Sequence, residues 1–183
     1  MRKALRNRKA RGRDAGGWQA SCVERGPARA WLLETGSLTA RLQQCGPTTV
    51  QLLWQGLRKP RRDELRVLRP GATRVAPVRE VVLRVQGQVA VFAHSVANRA
   101  ALKLLRRAGR RSLATVLFTD PRVVAGPLFF RQLDARHPLY RAAAAWCHGV
   151  APPRLPARRA LFARGAARLL VTEVFLPSSS ARA

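Results

Sequence analysis

The sequence predicts an α+β fold, a single domain in which one antiparallel β-sheet has helices packed mainly on one of its faces. The main observation is a pair of strand-forming runs, Val78–Val85 and Gln88–Val96, joined by Gln86-Gly87, which has the length and chemistry of a hairpin turn. A third run, Leu169–Leu176, lies near the end of the chain. Segments with helical spacing separate these runs, as in an antiparallel sheet with inserted helices. A chain of 183 residues, 47% of them apolar, is long enough to bury the core of such a domain.

Two short helices are predicted before the first strand. Pro27 suits the first turn of a helix that contains Trp31, and Gly36 interrupts that helix. Ser37 can cap a second helix, which Gly46 ends.

Strands and helices alternate through the middle of the chain. The run Thr48–Leu57 predicts a strand, and the basic, Pro-containing stretch Arg58–Arg62 predicts a loop after it. The hairpin of residues 78–96 is expected in the middle of the sheet. Asn98 can cap the next helix, and Ser112 can cap a further short one.

The last third of the chain contains the remaining strands. Gly126–Leu133 predicts strands, and Pro138–Gly149 predicts a helix with proline at its start and glycine at its end. The Pro-rich stretch Ala151–Pro156 predicts a loop. The apolar segment Ala160–Ala163 and a turn at Gly165 then lead into the closing strand.

Lysine and arginine outnumber acidic residues by 35 to 9, which gives a formal net charge of +26. Residues 1–17 are predicted to form a disordered basic tail, because residues 1–13 carry seven bases and no acid. The folded domain is predicted over residues 18–178, and residues 179–183 form a polar tail. Most of the bases are arginines spread along the whole chain, which favours a GC-rich codon bias and a solvated surface over a bounded nucleic-acid footprint.

Several kinds of site lack their sequence signatures. The three cysteines, Cys22, Cys45 and Cys147, have no CxxC spacing, so neither a disulfide framework nor a zinc site is indicated. There is no phosphate-binding glycine loop, no HExxH and no GxSxG motif. No apolar run reaches the roughly 18 residues of a membrane span, and no signal peptide is recognisable. A soluble, cytoplasmic protein is therefore expected.

Carboxylates within apolar strands are informative in a chain with nine acidic residues. Glu173 shares its face of the closing strand with apolar side chains, and Arg79 and Glu80 stand on opposite faces of the first hairpin strand. A buried carboxylate is costly unless it is paired or hydrogen-bonded. Three arrangements are open: a solvated face, an ion pair between Arg79 and Glu173 across strands, or a cavity with these two groups at opposite ends. The last would suit a small carboxylated substrate that bears a hydroxyl.

The closing segment Leu169–Pro177 resembles the last strand of the chorismate lyase family, whose members make 4-hydroxybenzoate and pyruvate from chorismate at the head of bacterial ubiquinone biosynthesis. Further segments resemble the family in the family's order: Trp31-Leu32-Leu33, Gly36-Ser37-Leu38-Thr39, Val78–Leu83, Ala93–Val96, Leu117-Phe118-Thr119 and Arg158-Arg159-Ala160. The resemblance covers roughly residues 31–178.

The resemblance implies roles for four residues. Arg79 matches the arginine that holds the ring carboxylate, and Glu173 matches the glutamate that reaches the 4-hydroxyl. Leu113 falls where the family contributes backbone to the carboxylate end, and Leu38 falls in a segment that folds over the ligand. His94 stands where arginine is common in the family, which predicts a different charge around the pocket.

The implied activity is that of a pyruvate-forming lyase, a monomer that uses chorismate and needs no metal, organic cofactor or specific nucleic acid. Two alternatives are open: a non-catalytic module of the same fold that binds small aromatic acids, and a basic nucleic-acid-binding protein. Weak contact between the basic tail and anionic membranes is also expected. The ring hydrogen could move within the substrate or through Glu173 as acid/base, and the sequence does not separate these routes.

Overall fold

Seven β-strands and six helices are present among residues 16–68, 74–109 and 111–177, which the computed structural model describes. The strands are β1 (Thr48–Arg58), β2 (Ala76–Val85), β3 (Gln88–Ala97), β4 (Val124–Ala125), β5 (Phe129–Leu133), β6 (Leu155–Arg164) and β7 (Ala167–Phe175). The helices are α1 (Pro27–Leu32), α2 (Leu38–Gln44), α3 (Arg62–Val67), α4 (Leu102–Ala108), α5 (Ala114–Leu117) and α6 (Pro138–Ala144).

All the strands belong to one antiparallel sheet in the order β1-β2-β3-β7-β6-β4, with β5 also paired to β6. The predicted hairpin is β2–β3, and it lies inside the sheet as expected. Its turn requires positive φ at both Gln86 (50°) and Gly87 (81°), a backbone conformation that tight hairpin turns use. The α+β fold class is therefore confirmed.

Alternation along the strands gives the sheet two faces, which we call front and back. The front face carries the side chains of Arg79 and Glu173, and α1, α2, α4 and α5 pack against it through apolar side chains such as Leu42 and Leu105. The back face is covered by α6, through Leu139, and by Leu68 at the end of α3. Four of the six helices in the described ranges thus share one face, in agreement with the prediction.

Side-chain caps start several of the helices, as the sequence indicates. Ser37 Oγ accepts a hydrogen bond from the backbone N–H of Ala40 at the start of α2. Asn98 Oδ1 accepts from the N–H of Ala101 in a 3-10 turn that leads directly into α4. Ser112 Oγ accepts from the N–H of Ala114 at the start of α5.

Three predictions for the last third of the chain were wrong in extent. The strands predicted over Gly126–Leu133 are reduced to β5 alone, because β4 ends at Ala125 and β5 begins only at Phe129. The α6 helix ends at Ala144 rather than near Gly149. The predicted loop Ala151–Pro156 is too long, since Pro156 and its neighbour Leu155 already pair with β5 and belong to β6.

The helix α3 was not predicted, and the proline-containing basic stretch before it obscured its start. Glu64 accepts hydrogen bonds from both the backbone N–H and the side chain of Arg61, which closes the first turn. Asp63 and Glu64 also lie in the first turn, where the helix dipole favours negative charge. The capping pair is an arginine and a glutamate, a combination that the usual Ser/Thr signature does not detect.

No helix within the described ranges is long and apolar enough to cross a membrane. The predicted basic tail lies outside the described residues except for Gly16 and Gly17, and the predicted polar tail at 179–183 lies outside them entirely.

Acidification is expected to destabilise the fold through His137, whose Nδ1 accepts a hydrogen bond from the N–H of Leu139 at the start of α6. Burial, together with the charges of Arg61 and Arg131, lowers the pKa of His137 from 6.5 to about 4. In the unfolded chain this imidazole binds a proton below about pH 6.5, whereas in the folded chain it stays neutral down to about pH 4. Falling pH therefore favours unfolding across that window.

The thermal unfolding midpoint, measured between pH 7 and pH 4, tests this expectation. His137→Asn keeps a side-chain acceptor at the N-cap but has no imidazole to protonate. The unfolding midpoint of this variant is therefore expected to fall less than that of the wild type between pH 7 and pH 4. His148→Asn changes an exposed histidine outside the α6 cap and serves as the matched control. A wild-type pH profile in His137→Asn would contradict the assignment.

Candidate active site

A cavity of about 90 Å³ lies between the front face of the sheet and the segments around α2 and α5. Its walls are mostly apolar, as is usual for sites that bind small molecules. All four residues singled out by the resemblance line it: Leu38, Arg79, Leu113 and Glu173. The sheet supplies the floor, and the α1–α2 connection together with residues 112–118 forms the cover.

Arg79 is buried, with 2% of its surface exposed, and its guanidinium is bonded only to neutral acceptors among the described residues. Nη1 donates to Gln55 Oε1 at 3.1 Å and to the carbonyl of Gly109, and Nη2 donates to the carbonyl of Arg111 at 2.8 Å. Burial lowers the pKa of Arg79, but a guanidinium keeps its proton at physiological pH. The cavity therefore contains a fixed positive charge without a carboxylate partner in the described part of the chain.

Glu173 faces the same cavity from β7, and its carboxylate is paired with Arg158 of the neighbouring strand β6. Arg158 Nε donates to Glu173 Oε2 at 2.5 Å, and the two residues are also register partners. The alternative of an ion pair between Arg79 and Glu173 was wrong. Strand β3 lies between their strands, and Glu173 takes its partner from the other side.

The register of the sheet sets the distance between Arg79 and Glu173. Arg79 pairs with Ser95 on β3, whereas Glu173 pairs with Ala93, two residues further along. Two strand spacings of about 4.8 Å and an offset of two residues of about 3.4 Å each separate the two Cα atoms by about 12 Å. Because both side chains extend into the cavity, the remaining gap suits a single aromatic ring with a polar group at each end.

The two parts of the cover are joined by a hydrogen bond. Thr39 Oγ1 on α2 and Ser112 Oγ lie 2.7 Å apart. Leu38 and Leu113, the residues next to them, line the cavity. Leu113 lies close to the Arg79 end, because Arg79 donates to the carbonyl of Arg111 two residues earlier.

Arg158 is a further site residue, which the sequence indicates only as part of the family-like segment Arg158-Arg159-Ala160. It is 3% exposed and lines the cavity. A signal was present in the pair Arg158-Arg159 within an otherwise apolar strand, because alternation must direct one of two consecutive arginines to each face. The structure places Arg158 on the front face and Arg159 on the back, where it pairs with Asp63 at 2.7 Å.

His94 does not line the cavity, so the expectation that it changes the charge around the pocket was wrong. It lies on the back face, where Nδ1 is 3.0 Å from Glu80 Oε1 and Nε2 is 3.2 Å from Glu64 Oε1. Burial raises the pKa of Glu64, but the hydrogen bond and charge of His94 and the charge of Arg61 outweigh it, so that this pKa is lowered. The hydrogen bond to His94 likewise lowers the pKa of Glu80.

The sequence profile of the family described as Chorismate lyase matches residues 18–181 of the chain. A protein from Ralstonia nicotianae named "Probable chorismate pyruvate-lyase" is 42% identical over 158 residues, which cover 81% of this chain and 80% of that protein. A protein of the same name from Nitrosospira multiformis is 43% identical over 157 residues, covering 82% of this chain and 87% of that protein.

Solved structures with a similar fold include an effector domain and a domain of a repressor. The effector domain of PhnF from Mycobacterium smegmatis has a TM-score of 0.54 and 16% identity, over 80% of this chain and 91% of that one. The C-terminal domain of the histidine utilization repressor from Pseudomonas syringae has a TM-score of 0.53 and 9% identity, over 73% and 94% of the two chains. At these identities the likeness shows a shared fold alone.

Proposed function

We propose, from the premise that this chain belongs to the chorismate lyase family, that the front cavity is where chorismate becomes 4-hydroxybenzoate and pyruvate. The activity is that of a pyruvate-forming lyase, and its place in ubiquinone biosynthesis follows from the family. The observation that carries the assignment of the site is the juxtaposition in one cavity of a buried guanidinium and a carboxylate, Arg79 and Glu173.

Arg79 is proposed to bind the carboxylate on the ring. A buried guanidinium that is bonded only to neutral groups gains most from a ligand that brings a negative charge, because charge-assisted hydrogen bonds are stronger away from water. Within the described residues the backbone N–H of Leu113 donates to no acceptor, although its carbonyl accepts from Val116 and Leu117. That N–H is a second donor for the carboxylate.

Glu173 is proposed to accept a hydrogen bond from the 4-hydroxyl. Its carboxylate is held by Arg158, and its side chain reaches the cavity from the side opposite Arg79. The apolar walls between the two groups match the face of a six-membered ring. Leu38 lies in the cover over the ring, so its role is apolar contact rather than polar recognition.

The reaction needs little chemistry from the protein. The C3–O bond of chorismate breaks, the hydrogen on C4 is lost and its bonding electrons complete the aromatic ring. The enolpyruvyl methylene gains a proton and the departing oxygen becomes the carbonyl of pyruvate, so the atoms of the substrate equal those of the two products. The enzyme contributes mainly by orienting the substrate in a dry cavity, whether the proton moves within the substrate or through Glu173.

The purified protein is expected to release one pyruvate and one 4-hydroxybenzoate per chorismate consumed. Coupled oxidation of NADH by lactate dehydrogenase measures the pyruvate, and absorbance after separation measures the aromatic acid. A binding module of the same fold would bind 4-hydroxybenzoate without releasing pyruvate. A protein whose main partner is nucleic acid would do neither, and that outcome would contradict the proposal.

We also propose a cytoplasmic, monomeric enzyme, as the family resemblance implies. The proposed weak contact with anionic lipid depends on the seven bases of residues 1–13, which lie outside the described ranges.

A further inference from the structure

Chorismate carries two carboxylates, one on the ring and one on the enolpyruvyl group. The proposed function assigns Arg79 to the first and leaves the second without a partner. The following inference rests on that proposed function. It concerns the only other guanidinium that lines the cavity in the described part of the chain, that of Arg158.

Arg158 is held on two of its three nitrogens. Nε donates to Glu173 Oε2, and Nη1 donates to the carbonyls of Trp31, Leu32 and Glu34 at the end of α1. Among the described residues, Nη2 has no acceptor within hydrogen-bonding distance. The residue is 3% exposed, so this free N–H₂ group belongs to a side chain that is fixed in place and almost fully removed from bulk water.

We propose that Nη2 of Arg158 binds the enolpyruvyl carboxylate of chorismate. In chorismate the enolpyruvyl ether is on the ring carbon next to the one that carries the hydroxyl. If Glu173 accepts a hydrogen bond from that hydroxyl, the enolpyruvyl group lies beside Glu173. Arg158, which is the ion-pair partner of Glu173, is then next to the enolpyruvyl group. Two buried guanidiniums in one cavity thus correspond to the two carboxylates of the substrate.

This contact is made by the substrate and not by the aromatic product, because 4-hydroxybenzoate has lost the second carboxylate. Arg158 therefore favours chorismate over its own product, whereas Arg79 and Glu173 bind both. A contact present in one ligand and absent in the other is a determinant of specificity. Three backbone carbonyls anchor the guanidinium of Arg158, so it keeps its orientation when pyruvate leaves.

Two unreactive ligands isolate the contact. The first is 3-(carboxymethoxy)benzoate, and the second is its side-chain amide, 3-(carbamoylmethoxy)benzoate, which has the same shape without the second charge. Neither has a 4-hydroxyl, so Glu173 recognition does not enter the comparison. We expect wild-type protein to bind the dicarboxylate at least tenfold more tightly than the amide in isothermal titration calorimetry, since a charge-assisted hydrogen bond is worth about that much.

The Arg158→Gln and Arg158→Lys variants are expected to reduce this preference to within threefold while binding the amide nearly as well as wild type does. Arg159→Gln is the matched control, because it removes the adjacent buried arginine of the same strand on the back face. It is expected to keep the wild-type preference.

Equal binding of the two ligands by wild-type protein that turns over chorismate would overturn the inference and leave the proposed function standing. Failure of both ligands to bind, together with no release of pyruvate from chorismate, would instead overturn the proposed function. If Arg158→Gln does not fold, the binding of the dicarboxylate and the amide by wild-type protein still tests the inference.

Discussion

Replacing Arg79 by methionine is expected to raise the dissociation constant of 4-hydroxybenzoate at least a hundredfold and to lower kcat/KM for chorismate by a similar or larger factor. Two hydrogen bonds to a charged group contribute about 1.5–3 kcal/mol each, and about 1.4 kcal/mol changes an equilibrium constant tenfold. Methionine fills much of the same volume, so the loss reports on the charge and its donors. Fluorescence titration with 4-hydroxybenzoate and the pyruvate assay measure the two quantities.

Arg79→Met also removes donors from Gln55 and from the carbonyls of Gly109 and Arg111, so its thermal unfolding is measured alongside. Arg84→Gln is a suitable control, because Arg84 is on the same strand but bonds Gln51 and Gly87 outside the cavity. Wild-type affinity in a folded Arg79→Met protein would remove Arg79 from the site.

Replacing Glu173 by glutamine is expected to abolish most of the preference for 4-hydroxybenzoate over benzoate, two ligands that differ in one hydroxyl. The carboxylate accepts a charge-assisted hydrogen bond from that hydroxyl, worth roughly ten- to a hundredfold in affinity. The same change leaves the buried Arg158 without its counter-charge, which lowers the free energy of unfolding by about 1–3 kcal/mol, less than for a fully buried pair because Glu173 is partly exposed.

Glu80→Gln is the matched control for Glu173. It is the same substitution in the same sheet, but Glu80 is on the back face with His94 and Arg58. It is expected to lower stability and to leave the ratio of the two dissociation constants unchanged. If Glu173→Gln keeps the wild-type ratio of the two dissociation constants, or if Glu80→Gln lowers that ratio equally, the preference does not come from contact between Glu173 and the hydroxyl.

The sequence was most informative where local chemistry decides the structure. The β2–β3 hairpin follows from a two-residue turn between strand-forming runs, and the starts of α2 and α4 follow from Ser37 and Asn98. Glu173 drew attention because a carboxylate in an apolar strand needs a stabilising partner. Composition and alternation therefore found the residue, but they did not identify its partner.

The partner depends on strand order, which local patterns do not contain. Placing β7 between β3 and β6 brings Arg158, rather than Arg79, to Glu173. The position of His94 is a similar case. Alternation puts it on the face opposite Ala93 and Ser95, but only the packing of α3, with Glu64, shows that it is enclosed there. The α3 helix itself begins with an arginine–glutamate pair that has no strong local signature.

The hydrogen bond between Thr39 and Ser112 joins two uncharged groups, whereas chorismate is a dianion and the protein has a net charge of +26. Ions in solution screen charges that are further apart than a Debye length of about 8 Å at physiological ionic strength, but they hardly affect a neutral contact. Added salt is therefore expected to weaken the long-range attraction between the basic protein and its dianionic substrate, and to leave the contact between Thr39 and Ser112 as it is.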